Sequence, residues 1–345
     1  MSFEYERVVT PASGLRLHLN ENTAGCSPAV LQALQAMTRK DLADYPDYDR
    51  AIDACARRLG VGADWLLLTN GLDEGILITA VAALRGSSDA SPLEAIVIVP
   101  AFDMYAACTQ AVGGKVVEVP FGADFAFPLG AVLEAVTPRT RLVWLTNPNN
   151  PTGQAVPLDA IRRIAAAVPD AMVMVDEAYA DFTDETLLRD GLLSTMPNVI
   201  VGRTFAKAYG LAGLRAGALI AAPGTLAALR PVGLPYSVNA CAAAVLPTAL
   251  ADTEYYGWYL DQVRQSKALL YAELDRLGIP HWKSGGNFIL ASFGAECARI
   301  VSALAARDVH VRDRSHDAGC AGCVRITAGV LEDTRTLVAA LGAVL

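Results

Sequence analysis

Through the middle of the chain, short aliphatic runs alternate with longer stretches of mixed polarity. The apolar runs at 94–99, 115–119, 141–146, 171–175, 199–203 and 217–221 have the length of strands. Helix-length stretches at 103–112 and 158–168 separate several of them. Strands that are apolar almost throughout are buried on both faces. The pattern therefore predicts an α/β fold with a mostly parallel central sheet sandwiched by helices. Such sheets bind ligands beyond the carboxyl ends of their strands, which directs attention to the residues that follow each run.

From residue 237 onward helix dominates, including 253–277, and short strands are expected near 287–291 and 324–327. This predicts a smaller α+β domain over 251–345. Residues 41–250 form the large domain, and residues 1–40 form an N-terminal arm that joins the small one. No internal repeat, low-complexity tract or long linker interrupts the pattern.

Composition narrows the function classes. With 345 residues, 53% hydrophobic and 19% charged, the chain has the make-up of a globular protein large enough for two domains. A net charge of −8 offers no electrostatic footprint for nucleic acid or an anionic membrane. A small anion remains possible, because a few placed arginines suffice. The longest apolar runs are of strand length, so no transmembrane helix is expected. The opening MSFEYERVV lacks the basic-then-apolar pattern of a signal peptide. Seven cysteines, an odd number set mostly in apolar segments, read as free thiols in a reducing cytoplasm.

The candidate chemistry lies after the strands. Lys207, in GRTFAKAYGLAGLRAG, follows the run 199–203 among small and apolar neighbours, which suits its amine to imine formation. Taken alone, it is an ordinary turn lysine; its context changes that. MVMVDEAYADF places Asp176 and Tyr179 at another strand end. A carboxylate keeps a pyridine nitrogen protonated, and a phenol can hydrogen-bond the hydroxyl of the same ring. This is how a protein makes pyridoxal 5′-phosphate an electron sink. RLVWLT runs into NPNNPTGQ, a fixed turn that presents the amide of Asn150. In LLLTNGLDEGILITAVAAL, a strand and a glycine turn lead into a helix whose free N–H groups near Leu72 and Asp73 suit a phosphate.

Together these residues resemble the fold-type I pyridoxal-phosphate enzymes of the class I/II aminotransferase family, and most of all the histidinol-phosphate aminotransferase subgroup. NPNNPTG, VDEAY, RTFAKAYGLAGLR, LPYSVN and VRITAG occur in the family's order and spacing, and the likeness runs from LHLNEN to VRITAG. It implies that Lys207 is the Schiff-base lysine and proton shuttle, with Asp176 on the pyridinium nitrogen. Tyr179 and Asn150 hold the ring oxygen, and Phe102 stacks on the ring. The Leu72 and Asp73 amides, Thr204 and Arg215 take the cofactor phosphate. Tyr45 reaches the cofactor phosphate of the neighbouring subunit, which implies a homodimer with shared active sites. Arg325 grips the substrate α-carboxylate, and Arg312, with Arg314 as competitor, binds a substrate phosphate.

The implied reaction is transamination between an amino donor, glutamate in the first instance, and a 2-oxo or phosphorylated keto acceptor in amino-acid biosynthesis. The alternatives are a decarboxylase or lyase of the same fold, and an aromatic or specialised-metabolism aminotransferase. A binding module would have lost the lysine or the aspartate. Two departures bear on the site. Ala206 stands where the family has serine, and NENTAG replaces the family's NENPYG, putting Ala24 where a tyrosine would line the substrate pocket. The Cys320–Cys323 pair lacks the second pair a zinc site needs, and the four histidines are scattered, so no metal is expected.

Overall fold

A computed structural model describes residues 11–88 and 90–345. The opening MSFEYERVV and the first ten residues of the expected arm lie outside the described residues. In chain order the strands are β1 (Leu15–Arg16), β2 (Leu66–Asn70), β3 (Glu94–Val99), β4 (Lys115–Pro120), β5 (Thr140–Thr146), β6 (Met172–Asp176) and β7 (Val199–Thr204). They continue with β8 (Ala216–Ala221), β9 (His281–Trp282), β10 (Phe288–Ser292), β11 (Val309–His310), β12 (Arg312–Asp313) and β13 (Cys323–Thr327). The six runs expected as central strands all form, with ends within one residue of expectation.

The large sheet has the order β2-β8-β7-β6-β5-β3-β4. Pairing is parallel from β4 through β7, whereas β8 is antiparallel to both β7 and β2. Only residues 205–215 connect β7 to β8, too few for the helical crossover a parallel pair requires. Alternation along each strand feeds two cores. Leu142 and Trp144 of β5 face one layer with Met174, Ile200 and Leu219. Val143 and Leu145 face the other with Val173, Val201 and Ile220. The helices Gly71–Ala83 and Met104–Ala111 cover the first face through Ile76 and Tyr105. Asp49–Leu59, Leu158–Ala167 and Ala240–Ala251 cover the second through Ala51, Ile161 and Leu246. Each fully buried Val, Leu or Ile contributes about 1.5–3 kcal/mol.

The second sheet is antiparallel, in the order β12-β13-β10-β9. Its core joins Ile289 and Ile326 to Leu274 of the helix Thr253–Arg276 and Leu337 of the helix Leu331–Gly342. Leu17 belongs to the same core, β1 pairs in parallel with β11, and Thr327 N–H donates to Leu17 O at 2.9 Å. Residues 15–20 therefore lie on the C-terminal sheet. The helix Pro28–Gln35 packs instead on Ala240–Ala251. No helix among the described residues is long and apolar enough to cross a membrane.

Candidate active site

The carboxyl ends of β5, β6 and β7 open into a cavity walled on its far side by β12 and β13. At its floor, β6 ends in the buried Asp176. Tyr105 Oη donates to Asp176 Oδ2 at 2.7 Å, and the Ala178 N–H donates to Oδ1 at 2.9 Å. Burial pushes this carboxyl up to about 6, against the downward pull of the two hydrogen bonds. A buried anion in this condition favours a cationic N–H opposite it, and a pyridinium nitrogen meets that demand.

Lys207 lies in the bend after β7. It is half-buried rather than enclosed, and Nζ donates to Leu19 O at 3.0 Å. Nζ also stands 5.9 Å from the centroid of the Tyr179 ring. Tyr179 Oη accepts from Asn20 Nδ2 at 3.0 Å, which leaves the phenol proton for a ligand. The NPNNPTGQ turn is held by its own asparagines: Asn147 Oδ1 accepts from the N–H of Val156, just beyond the turn, at 2.9 Å, and Asn149 Oδ1 accepts from Thr152 Oγ1 at 2.8 Å. Asn150 Oδ1 accepts from Arg325 Nη1 at 2.5 Å, so its amide nitrogen is the group left to offer.

The end of β2 passes directly into the helix Gly71–Ala83, whose first-turn N–H groups at Leu72 and Asp73 have no carbonyl behind them. Gly71 takes φ +75°, and a Cβ there would lie 2.6 Å from Arg215 Nη2. A Cβ on Gly217 of β8 would lie 2.7 Å from the Gly71 carbonyl carbon. Two glycines thus shape a cradle that side chains would fill. Thr204 ends β7 at its rim, and Arg215 Nη2 pairs with Asp73 Oδ2 at 2.6 Å. Ala206 is buried and lines the same cavity, so the missing serine hydroxyl falls within the site. These features fit a phosphorylated pyridine ring.

Arg325 of β13 stands in register with Arg312 of β12. Its Nη2 donates to His18 O at 2.7 Å, while Nε is buried without a partner. Burial, reinforced by Arg314 and Arg312, pulls this guanidinium down to about 10. Burial and neighbouring Arg16 likewise lower His18 to about 4, so its ring is neutral near pH 7. The cavity contains both rival arginines. Arg314 Nη2 lies 2.5 Å from Asp317 Oδ2, whereas no side chain among the described residues pairs with Arg312.

The cavity gathers every expected residue except Tyr45, with Phe102 on its wall. Tyr45 is 79% exposed and stacks on Tyr236 with ring centroids 4.4 Å apart. Ala24 is exposed and is not part of the cavity wall, so the NENTAG departure does not widen this cavity within the chain. Cys320 and Cys323 close a buried turn, with the Cys323 N–H donating to Cys320 O at 2.8 Å. Among the described residues no group of three potential ligands could hold a metal. Sequence reasoning missed Tyr105 and Thr146, both on the cavity wall. The available signals were the i, i+3 spacing of Tyr105 from Phe102 and the place of Thr146 at the end of β5.

A mostly parallel sheet, a lysine in the bend after β7 and a buried aspartate at the end of β6 define a pyridoxal-phosphate enzyme of fold type I. The family model for aminotransferase class I and II matches residues 12–341. Histidinol-phosphate aminotransferase 2 of Ralstonia nicotianae is 37% identical over 340 residues, covering 95% of this chain and 87% of the relative. Histidinol-phosphate aminotransferase 1 of Cupriavidus pinatubonensis is 36% identical over 336 residues, covering 95% and 87%. The solved histidinol-phosphate aminotransferase of Sinorhizobium meliloti, in complex with pyridoxal 5′-phosphate, superposes with a TM-score of 0.84 at 27% identity, covering 96% of this chain and 90% of that one. The chain belongs to the class I and II aminotransferase family. Its chemistry is pyridoxal-phosphate-dependent transamination, which the likeness favours over the lyase alternative.

Proposed function

We propose that the enzyme carries an amino group between glutamate and a phosphorylated keto acceptor of the histidinol-phosphate type. One observation carries this reading: a single cavity brings Lys207, Asp176, Asn150, Arg215, Arg312 and Arg325 together from distant parts of the chain. The bound cofactor supplies an aldehyde for the amino group and a ring that accepts the electron pair left at the substrate Cα. Lys207 would hold the cofactor and would move the proton at Cα through Nζ. Asp176 would meet the ring nitrogen, Tyr179 and Asn150 would hold the ring oxygen, and Phe102 would pack against the ring. The Leu72 and Asp73 amides, the Thr204 hydroxyl and the Arg215 guanidinium take the phosphate. Arg325 would fork onto the α-carboxylate of glutamate. Arg312 takes the distal phosphate, because Arg314 is already matched by Asp317.

Tyr45 completes the cofactor site of a second copy in a homodimer. Exposed Leu42 and Leu234, with the Tyr45–Tyr236 stack, support that interface. Free thiols at all seven cysteines support a cytoplasmic setting. Residues 41–250 act as the large domain, 251–345 as the small one and 1–40 as the arm. The helix Ala240–Ala251 packs on the first unit, and Leu270 and Leu274 of the next helix pack on the second. Borohydride treatment of the loaded protein, followed by peptide mapping, should place the phosphopyridoxyl group on Lys207; a different residue, or none, would reject the site. Among histidinol phosphate, phenylalanine and tyrosine as amino donors, histidinol phosphate should be consumed fastest. Preference for an aromatic amino acid would reject the substrate.

A further inference from the structure

We propose that Tyr105 is a positioning residue for the cofactor ring: together with Thr146 it forms a hydrogen-bond relay that aims the Asp176 carboxylate. The inference rests on the reading that Asp176 faces the ring nitrogen.

Tyr105 Oη donates to Asp176 Oδ2 at 2.7 Å, and Thr146 Oγ1 donates to Tyr105 Oη at 3.0 Å. A phenol has a single proton. An ionised carboxylate can only accept, so that proton lies toward Asp176, and Thr146 fills a lone pair behind it. The direction of the relay follows from the inventory of donors. Tyr105 has no room to turn away. It is 1% exposed, it stacks on Trp144 at 5.1 Å and 18°, and Phe102 meets its edge at 5.8 Å. Trp144 is itself tied through Nε1 to Thr109 Oγ1 at 3.1 Å. Burial holds the Tyr105 phenol well above its ordinary range, so it keeps its proton. The other titratable groups facing Asp176 come from separate elements: Asp73 from the helix after β2, which opposes the anion, and Lys207 from the bend after β7, which favours it. Neither makes a hydrogen bond to the carboxylate; Tyr105 and the Ala178 N–H do. Tyr105 thus fixes one oxygen, and the carboxylate meets the ring in a set orientation.

The test uses full-length protein stripped of cofactor. It is titrated with pyridoxal phosphate and with the carbocyclic analogue in which C–H replaces the ring nitrogen. Tyr105→Phe keeps the ring and its stacking but removes the donor. It should weaken pyridoxal phosphate about tenfold and leave the analogue unchanged. In the cofactor-free protein, the Asp176 carboxyl band, assigned by Asp176→Asn, should titrate about one pH unit higher in Tyr105→Phe. Equal weakening of both ligands, or an unmoved midpoint, overturns the proposal, because a packing role alone would give that result. If Tyr105→Phe does not fold, Thr146→Val carries the same test, with the same signs and smaller shifts. If Asp176→Asn binds both ligands as the wild type does, Asp176 does not face the ring nitrogen, and the site reading falls along with the proposal.

Discussion

In the cofactor-free protein, burial lifts the Asp176 carboxyl to about 6, whereas an unfolded chain has about 4. The folded state then holds the proton more tightly than the unfolded one. The contribution to stability is therefore complete below about pH 4 and is lost as pH rises through about 6. Two pH units correspond to about 3 kcal/mol. Urea unfolding of the cofactor-free protein should show a loss of that order between pH 4 and 6.5, and Asp176→Asn should remove it. In the proposed site Arg325 serves the substrate instead. Arg325→Lys replaces a fork with a point charge and should raise the KM for glutamate about thirtyfold, near 2 kcal/mol. A lower kcat at unchanged KM would show that the arginine does not hold the carboxylate. The residues legible in the sequence, Lys207, Asp176 and Asn150, lie just after apolar runs. Tyr105 was not legible as a partner of Asp176, because the two stand 71 positions apart and only the fold joins them.

Elements were readable where burial on both faces leaves an unbroken apolar run, as in β3, β5 and β7. The two-residue strands β1, β9, β11 and β12 are too short to show any periodicity. The direction of β8 follows from its short connection, which composition does not display. That strand also backs the proposed phosphate cradle. In Gly217→Ala, the new methyl would meet the Gly71 carbonyl carbon at 2.7 Å and the Leu72 nitrogen at 2.8 Å, backbone atoms that cannot swing aside. The expected result is a loss of about 1–3 kcal/mol in stability, accompanied by weaker pyridoxal phosphate binding. Calorimetry with and without cofactor separates the two effects. An unchanged cofactor affinity would show that β8 does not set the cradle.

For the whole molecule, the decisive question is what covers Tyr45. If Tyr45 serves the neighbour's site, a hybrid dimer of Tyr45→Ala and Lys207→Ala subunits contains one complete site. Mixing the two variants after mild dissociation should then recover about a quarter of wild-type activity, from half of the dimers with half of their sites. No recovery in confirmed hybrids would place Tyr45 outside the shared site. The sequence pointed to this residue only through family likeness, since an exposed tyrosine in a polar loop gives no sign of its partner.

The hydrogen bond from Arg325 Nη1 to Asn150 Oδ1 spans the second sheet and the turn after β5. If Arg325 holds the substrate carboxylate and Asn150 the ring oxygen of the cofactor, as proposed, occupancy at either end changes the free energy of the other. Thermodynamic linkage makes that exchange reciprocal. A simple carboxylate that favours the loaded enzyme by some factor must slow the escape of the cofactor or hasten its capture, so that its equilibrium affinity rises by the same factor. Under the proposed assignments, a substrate held by Arg325 acts as an effector of its own coenzyme through the Arg325–Asn150 hydrogen bond.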